Sequence, residues 1–233
     1  MVYTVSPEVT PAAELTSAAA RLEIMPGVAL WPGYFDRTRQ ASLVADIFSR
    51  ALDAPFYRPL MPRTGKPFSV EETNFGSLGW VSDESGYRYE KMHPLTGHPW
   101  PAMPPLLERT WFELTGCCAG PECCLVNLYR GRARMGLHQD RDEAELLAPV
   151  LSVSLGDDAV FRIGCSTRRA PSRSFVLRSG DVVVFGGPAR LAFHAIDRVL
   201  EKSSCLVPGG GRLNLTLRRV ARFPQQEDAR PGG

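Results

Sequence analysis

The sequence predicts a mainly β fold, a jelly roll, sandwich or barrel, entered through an N-terminal part that carries helices. Three observations predict it. From Cys123 onward, short apolar segments recur with turn residues between them, and no helical stretch intervenes. Upstream, two segments show helical spacing with end signals on either side. The chain has 233 residues and 44% hydrophobic content, enough to bury one sizeable core.

The elements follow in order. Residues 1–35 are rich in Pro and Ala and read as irregular. Asp36 then precedes a helix in which Val44, Ile47, Phe48 and Ala51 share one face. Residues 54–104 are rich in Gly and Pro and read as a loop, although "TNFGSLGW", "GYRYEKMHP" and "GHPWPAMPP" give it a high aromatic content. A second helix starts at Pro104 and Pro105, carries Leu107, Trp111 and Leu114 as its apolar stripe, and stops at Gly116. Strands are expected at 124–129, 150–155, 159–163, 174–178, 181–185, 191–196 and 212–219. The tail "FPQQEDARPGG" has the composition of a disordered segment.

Composition narrows the function classes. A net charge of +2 does not by itself imply a nucleic-acid partner. Five arginines without an acid between Arg162 and Arg178 make a local basic patch, facing either phosphates or water. No basic start leads into an apolar core, so no signal peptide is expected. No run approaches the roughly 18 apolar residues of a membrane span. The six cysteines include two vicinal pairs, Cys117–Cys118 and Cys123–Cys124, which lack zinc-site spacing. They read as small buried residues of a chain in a reducing, cytoplasmic compartment.

Two segments carry chemistry. In "RLNLTLRR", Leu213, Leu215 and Leu217 alternate with Arg212, Asn214, Thr216 and Arg218, so period two collects four polar groups on one face. "VNLY" adds Asn127 and Tyr129 on one face. Such a face suits water, or a dicarboxylate gripped by guanidinium forks and neutral donors. "GLHQDRDE" concentrates His138, Asp140, Asp142 and Glu143 between two strands. In an extended segment His138 and Asp140 point the same way, and His194 ends the apolar stretch "RLAFH". Two histidines and one carboxylate make the facial triad of non-haem Fe(II) oxygenases; zinc, with hydrolysis, accepts the same set.

Taken together, H-x-D, a histidine 56 residues later and "RLNLTLR" resemble the AlkB family of Fe(II)/2-oxoglutarate-dependent dioxygenases, its bacterial DNA-repair members above all. "APVLSVSLGDDAVFRIG" and "SGDVVVFGGPARLAFHAI" resemble its core blocks, and "TNFGSLGW", "GYRY" and "PWPAMP" its nucleotide-recognition segment. The resemblance implies a double-stranded β-helix (jelly roll) core over 120–221. It implies an N-terminal extension, helices and nucleotide-recognition lid over 1–119, and leaves 222–233 as the disordered tail. It implies that His138, Asp140 and His194 bind Fe(II), and that Asn127, Tyr129, Arg212, Asn214 and Arg218 bind 2-oxoglutarate. Trp80, Tyr87, Tyr89, Asp142 and Arg168 would meet the substrate, with Arg88 on a phosphate.

The implied reaction couples dioxygen and 2-oxoglutarate decarboxylation to hydroxylation of an N-alkyl group, which leaves as an aldehyde. The implied substrates are 1-methyladenine and 3-methylcytosine in single- or double-stranded DNA, with RNA left open. No membrane partner is implied, and the chain is expected to act as a monomer. A base inside a duplex is out of reach, so the target is flipped out or comes from a single strand. A relative acting on tRNA, protein or lipid is the rival enzyme. A non-catalytic jelly-roll binding module is the rival from another class.

Overall fold

The computed structural model describes residues 20–223. Residues 1–19 and most of the expected disordered tail therefore lie outside the described residues. Where an irregular start was expected, β1 (Leu22–Met25) and β2 (Val28–Trp31) form a hairpin. Its turn is Pro26-Gly27, with Gly27 at φ +82°, a backbone position only glycine adopts without strain. Helix α1 (Arg37–Arg50) is capped by Asp36, whose carboxylate accepts from the Arg39 N–H at 2.8 Å.

The expected loop 54–104 is also corrected. It contains β3 (Glu71–Gly76) and the hairpin β4 (Gly79–Asp83) and β5 (Gly86–Glu90). Helix α2 (Pro105–Thr115) ends as expected at Gly116, in the left-handed conformation. The remaining strands are β6 (Cys123–Tyr129), β7 (Met135–His138), β8 (Val150–Gly156), β9 (Asp158–Ile163), β10 (Arg173–Leu177), β11 (Val182–Phe185), β12 (His194–Leu200) and β13 (Arg212–Arg218). β12 begins and ends later than expected because a 3-10 turn occupies Gly187–Ala189 and His194 opens the strand rather than closing it.

All pairings are antiparallel. A seven-stranded sheet runs β1-β2-β11-β8-β13-β6-β3, and a four-stranded sheet runs β10-β9-β12-β7. One core joins α1 and α2 to the outer face of the large sheet through Ile47, Leu107, Trp111, Val126, Leu215 and Leu217. The second fills the space between the sheets with Val28, Tyr129, Phe161, Ile163, Val183 and Phe185. The large sheet is thus covered on both faces, as a jelly roll requires. Every residue of β13 is consequently buried, its polar face included, so that face turns to a ligand cavity and not to water.

Among the described residues no helix is long and apolar enough to cross a membrane. The six cysteines form no disulfide. Cys123 and Cys124 are buried, but Cys118, Cys165 and Cys205 are exposed, so the expectation of small buried residues holds for only part of the set.

Candidate metal and cosubstrate site

Strand register builds the metal triad. β12 pairs with β7 so that His194 lies opposite His138, and Asp140 follows two residues after His138. Both Nδ1 atoms face backbone carbonyls, that of Gly136 at 2.8 Å from His138 and that of Ala192 at 3.0 Å from His194. A carbonyl only accepts, so each Nδ1 carries the proton and each Nε2 lone pair points into the site. The two Nε2 atoms stand 3.6 and 3.7 Å from Asp140 Oδ1. All three ligand atoms lie within 4.8 Å of one another, which fits one metal ion held on one face.

Electrostatics keep the donors ready to ligate. Burial pushes the Asp140 carboxyl upward, but Arg218 and the two imidazoles outweigh it and hold the acid below the ordinary range. Burial, helped by His138, lowers His194 to about 4, so its ring is neutral at neutral pH. A neutral imidazole and an ionised carboxylate are the forms that bind metal.

The residues expected to bind 2-oxoglutarate line up across β6 and β13, with Arg212 opposite Tyr129 and Asn214 opposite Asn127. Arg212 is fully buried; it donates to Ser154 Oγ at 2.8 Å, and its Nε has no partner among the described residues. Burial lowers this guanidinium to about 10. A buried cation with no carboxylate of its own and a free N–H, beside the unpartnered Asn127 Oδ1, fits the end of a dicarboxylate. Arg218 is placed differently. It donates to Asp140 Oδ2 through Nε at 3.0 Å and lies 3.5 Å from Glu143, so it braces the metal ligand from the same strand.

These groups line one cavity of about 380 Å³. Its mouth is formed by Trp80, stacked on Tyr87 at 5.4 Å between ring centroids, with Asp142 and Arg168. Trp80 donates its indole N–H to Asp142 at 2.9 Å, which fixes the ring's orientation. Tyr89 instead turns away into a buried cluster and donates to Glu143. Arg88 is held by both oxygens of Asp83 at 2.8 Å and by Glu90 at 2.7 Å, and it does not line the cavity.

Glu143, unassigned by sequence reasoning, is buried rather than solvated. It pairs with Arg190 at 3.0 Å, and Arg190 also donates to the Asp140 carbonyl at 2.6 Å. The pair clamps the segment that carries the metal ligand. Arg190 stands four residues before His194, with no sequence pattern to separate it from its neighbours. Glu72, buried and lining the same cavity, was missed too, since it sat in a stretch read as loop.

The double-sheet fold with an H-x-D…H triad on its inner face defines a non-haem iron oxygenase. Residues 27–218 match the model of the 2OG-Fe(II) oxygenase superfamily, and the chain belongs to that family. It is 56% identical over 208 residues to an alpha-ketoglutarate-dependent dioxygenase AlkB homolog of Caulobacter vibrioides, covering 88% of this chain and 93% of that one. It is 39% identical over 185 residues to the alpha-ketoglutarate-dependent dioxygenase AlkB of Escherichia coli, covering 77% and 84%. Among solved structures, OsALKBH1 superposes with a TM-score of 0.73 at 28% identity, covering 86% of this chain and all of that one.

Proposed function

We propose that this chain is an oxidative demethylase that removes N-alkyl groups from adenine and cytosine in DNA, and in RNA where the strand is open. One observation supports the reading above others: the metal triad and a stacked tryptophan–tyrosine pair with a carboxylate beside it share a single cavity. Methylation at the pairing nitrogen leaves these bases cationic near neutral pH. Aromatic faces and a carboxylate both attract a cation, and a lipid or peptide chain would need neither.

His138, Asp140 and His194 would hold Fe(II), with Arg212, Asn127, Tyr129 and Asn214 around 2-oxoglutarate. Bound together with dioxygen, these groups supply the oxidation: one oxygen goes to the alkyl carbon, and the other leaves with succinate as carbon dioxide is lost. The protein's share is orientation and exclusion of water. Arg212 fixes the far carboxylate, Arg218 and Arg190 hold Asp140 in place, and Trp80 presents the base. The hydroxymethyl product then breaks its C–N bond: the hydroxyl gives up its proton to water, the C–N electron pair stays on the ring nitrogen as its lone pair, and formaldehyde and the neutral base are released. Arg168, which lines the same cavity, suits a flanking phosphate. The chain is proposed to work as a monomer in the cytoplasm.

The test is mass spectrometry of oligonucleotides carrying one 3-methylcytosine, single- or double-stranded, beside a methylated tRNA fragment. Loss of one methylene from the DNA supports the assignment. Loss from the tRNA alone would move the substrate to RNA. Anaerobic Fe(II) titration separates an enzyme from a binding module, which would show no metal band that changes with 2-oxoglutarate.

A further inference from the structure

Glu72 stands second in β3, directly opposite Asn127, which itself stands opposite Asn214. It therefore extends the cosubstrate row by one strand. The residue is fully buried, lines the cavity, and neither carboxyl oxygen has a hydrogen-bond partner among the described residues. Burial pushes this acid from 4.5 up to about 8, against a smaller pull from Arg218, whose own hydrogen bonds go to Asp140 and Tyr89. The other unpartnered buried hydroxyl nearby, that of Tyr57, packs with Ala54, Val81 and Trp100 and does not line the cavity.

An unpaired buried carboxyl destabilises a fold, and an apolar side chain of the same length would fill the space without that cost. The position makes sense if a donor enters the cavity from outside. Accepting the demethylase reading on which this rests, we propose that Glu72 is a specificity-determining residue whose carboxyl receives the exocyclic amino group of the extruded adenine or cytosine. In 1-methyladenine and 3-methylcytosine the positive charge is shared between ring and amino nitrogen, so this donor is cationic and the contact is charge-assisted. Thymine alkylated at the same ring position is neutral and offers a carbonyl there, so it brings neither the amino donor nor the positive charge that draws the buried acid into its ionised form. Asp142 acts at the exposed mouth and is already engaged by Trp80. Glu72 reads the base deeper in, where water screens least.

The test uses Glu72→Gln, which keeps the shape, and Glu72→Met, which removes hydrogen bonding altogether. Formaldehyde release is measured on single-stranded oligonucleotides carrying 3-methylcytosine or 3-methylthymine, with the 2-oxoglutarate KM and Tm recorded in parallel. The ratio of kcat/KM for cytosine over thymine lesions falls about tenfold or more in both variants, the scale of a lost hydrogen bond to a charged group. The 2-oxoglutarate KM does not rise with it, and the Tm of Glu72→Met goes up. An unchanged ratio overturns the proposal, as does a raised 2-oxoglutarate KM, which would place Glu72 on the cosubstrate. A fall in Tm for both variants with the ratio intact makes it structural and also overturns it. If the parent protein releases formaldehyde from neither lesion, the demethylase reading itself fails and takes the inference with it.

Discussion

Replacing Arg212 by Lys probes the anion site with the smallest chemical change. The guanidinium is fully buried, and burial draws it down to about 10, a desolvation that the protein's own groups leave unmatched. A carboxylate held by the fork offsets this, whereas an ammonium loses the second donor and the planar match. The variant also gives up the 2.8 Å bond to Ser154 Oγ. The expected loss in 2-oxoglutarate binding is ~1–3 kcal/mol, which is about 5- to 150-fold in KM. The assay is succinate formation against 2-oxoglutarate concentration, backed by the thermal shift that 2-oxoglutarate produces with Mn(II) in place of iron. Arg162→Lys, on the half-exposed pair with Asp197, serves as control and leaves that KM alone. An unchanged KM in Arg212→Lys would refute the anion-site reasoning.

Four further outcomes are expected. His138→Ala and His194→Ala each abolish turnover and 2-oxoglutarate decarboxylation with the circular dichroism spectrum preserved; full activity in either, or with zinc replacing iron, contradicts the iron site. Asp142→Asn costs about 1 kcal/mol more in kcat/KM on 3-methylcytosine than on 3-methylthymine, on top of a shared loss from the freed Trp80 ring; equal losses leave only the positioning role. Glu143→Ala strands the buried Arg190 cation and lowers stability by ~3–5 kcal/mol in urea unfolding, and a parent-like midpoint removes Glu143 from the clamp. Glu72 binds its proton more tightly folded than unfolded, so the parent loses stability as pH rises from the ordinary 4.5 toward about 8. Glu72→Gln lacks that slope, and parallel Tm–pH curves would contradict the buried-acid assignment.

The parts that sequence made legible are those where a local period coincides with a global face. Leu213, Leu215 and Leu217 point to the helices and Arg212, Asn214, Thr216 and Arg218 to the cavity, as alternation along β13 requires. Alternation alone did not say whether the polar face meets water or a ligand, because that depends on the second sheet, which is distant in sequence. The same holds for His138 and His194, whose meeting rests on the β7–β12 register. Glycines hid β3 to β5: Gly76, Gly79 and Gly86 end or open each strand and give the stretch a loop's composition. Gly79 is needed because a Cβ there would strike the Trp100 ring. The β1–β2 hairpin was missed despite its Pro26-Gly27 turn, since two four-residue strands are too short for a period to show. Glu143 and Arg190 were illegible because their partnership spans 47 residues and is set by packing.

The central claim, that one cavity couples 2-oxoglutarate oxidation to an alkylated base, meets its most direct test in product stoichiometry. Purified protein with Fe(II), 2-oxoglutarate and air is given single-stranded oligonucleotides bearing 1-methyladenine, 3-methylcytosine or no lesion, and formaldehyde and succinate are counted together. Formaldehyde is expected in step with succinate for both lesions, and none from the unmodified strand. Succinate formed with no formaldehyde from either methylated strand would contradict the central claim.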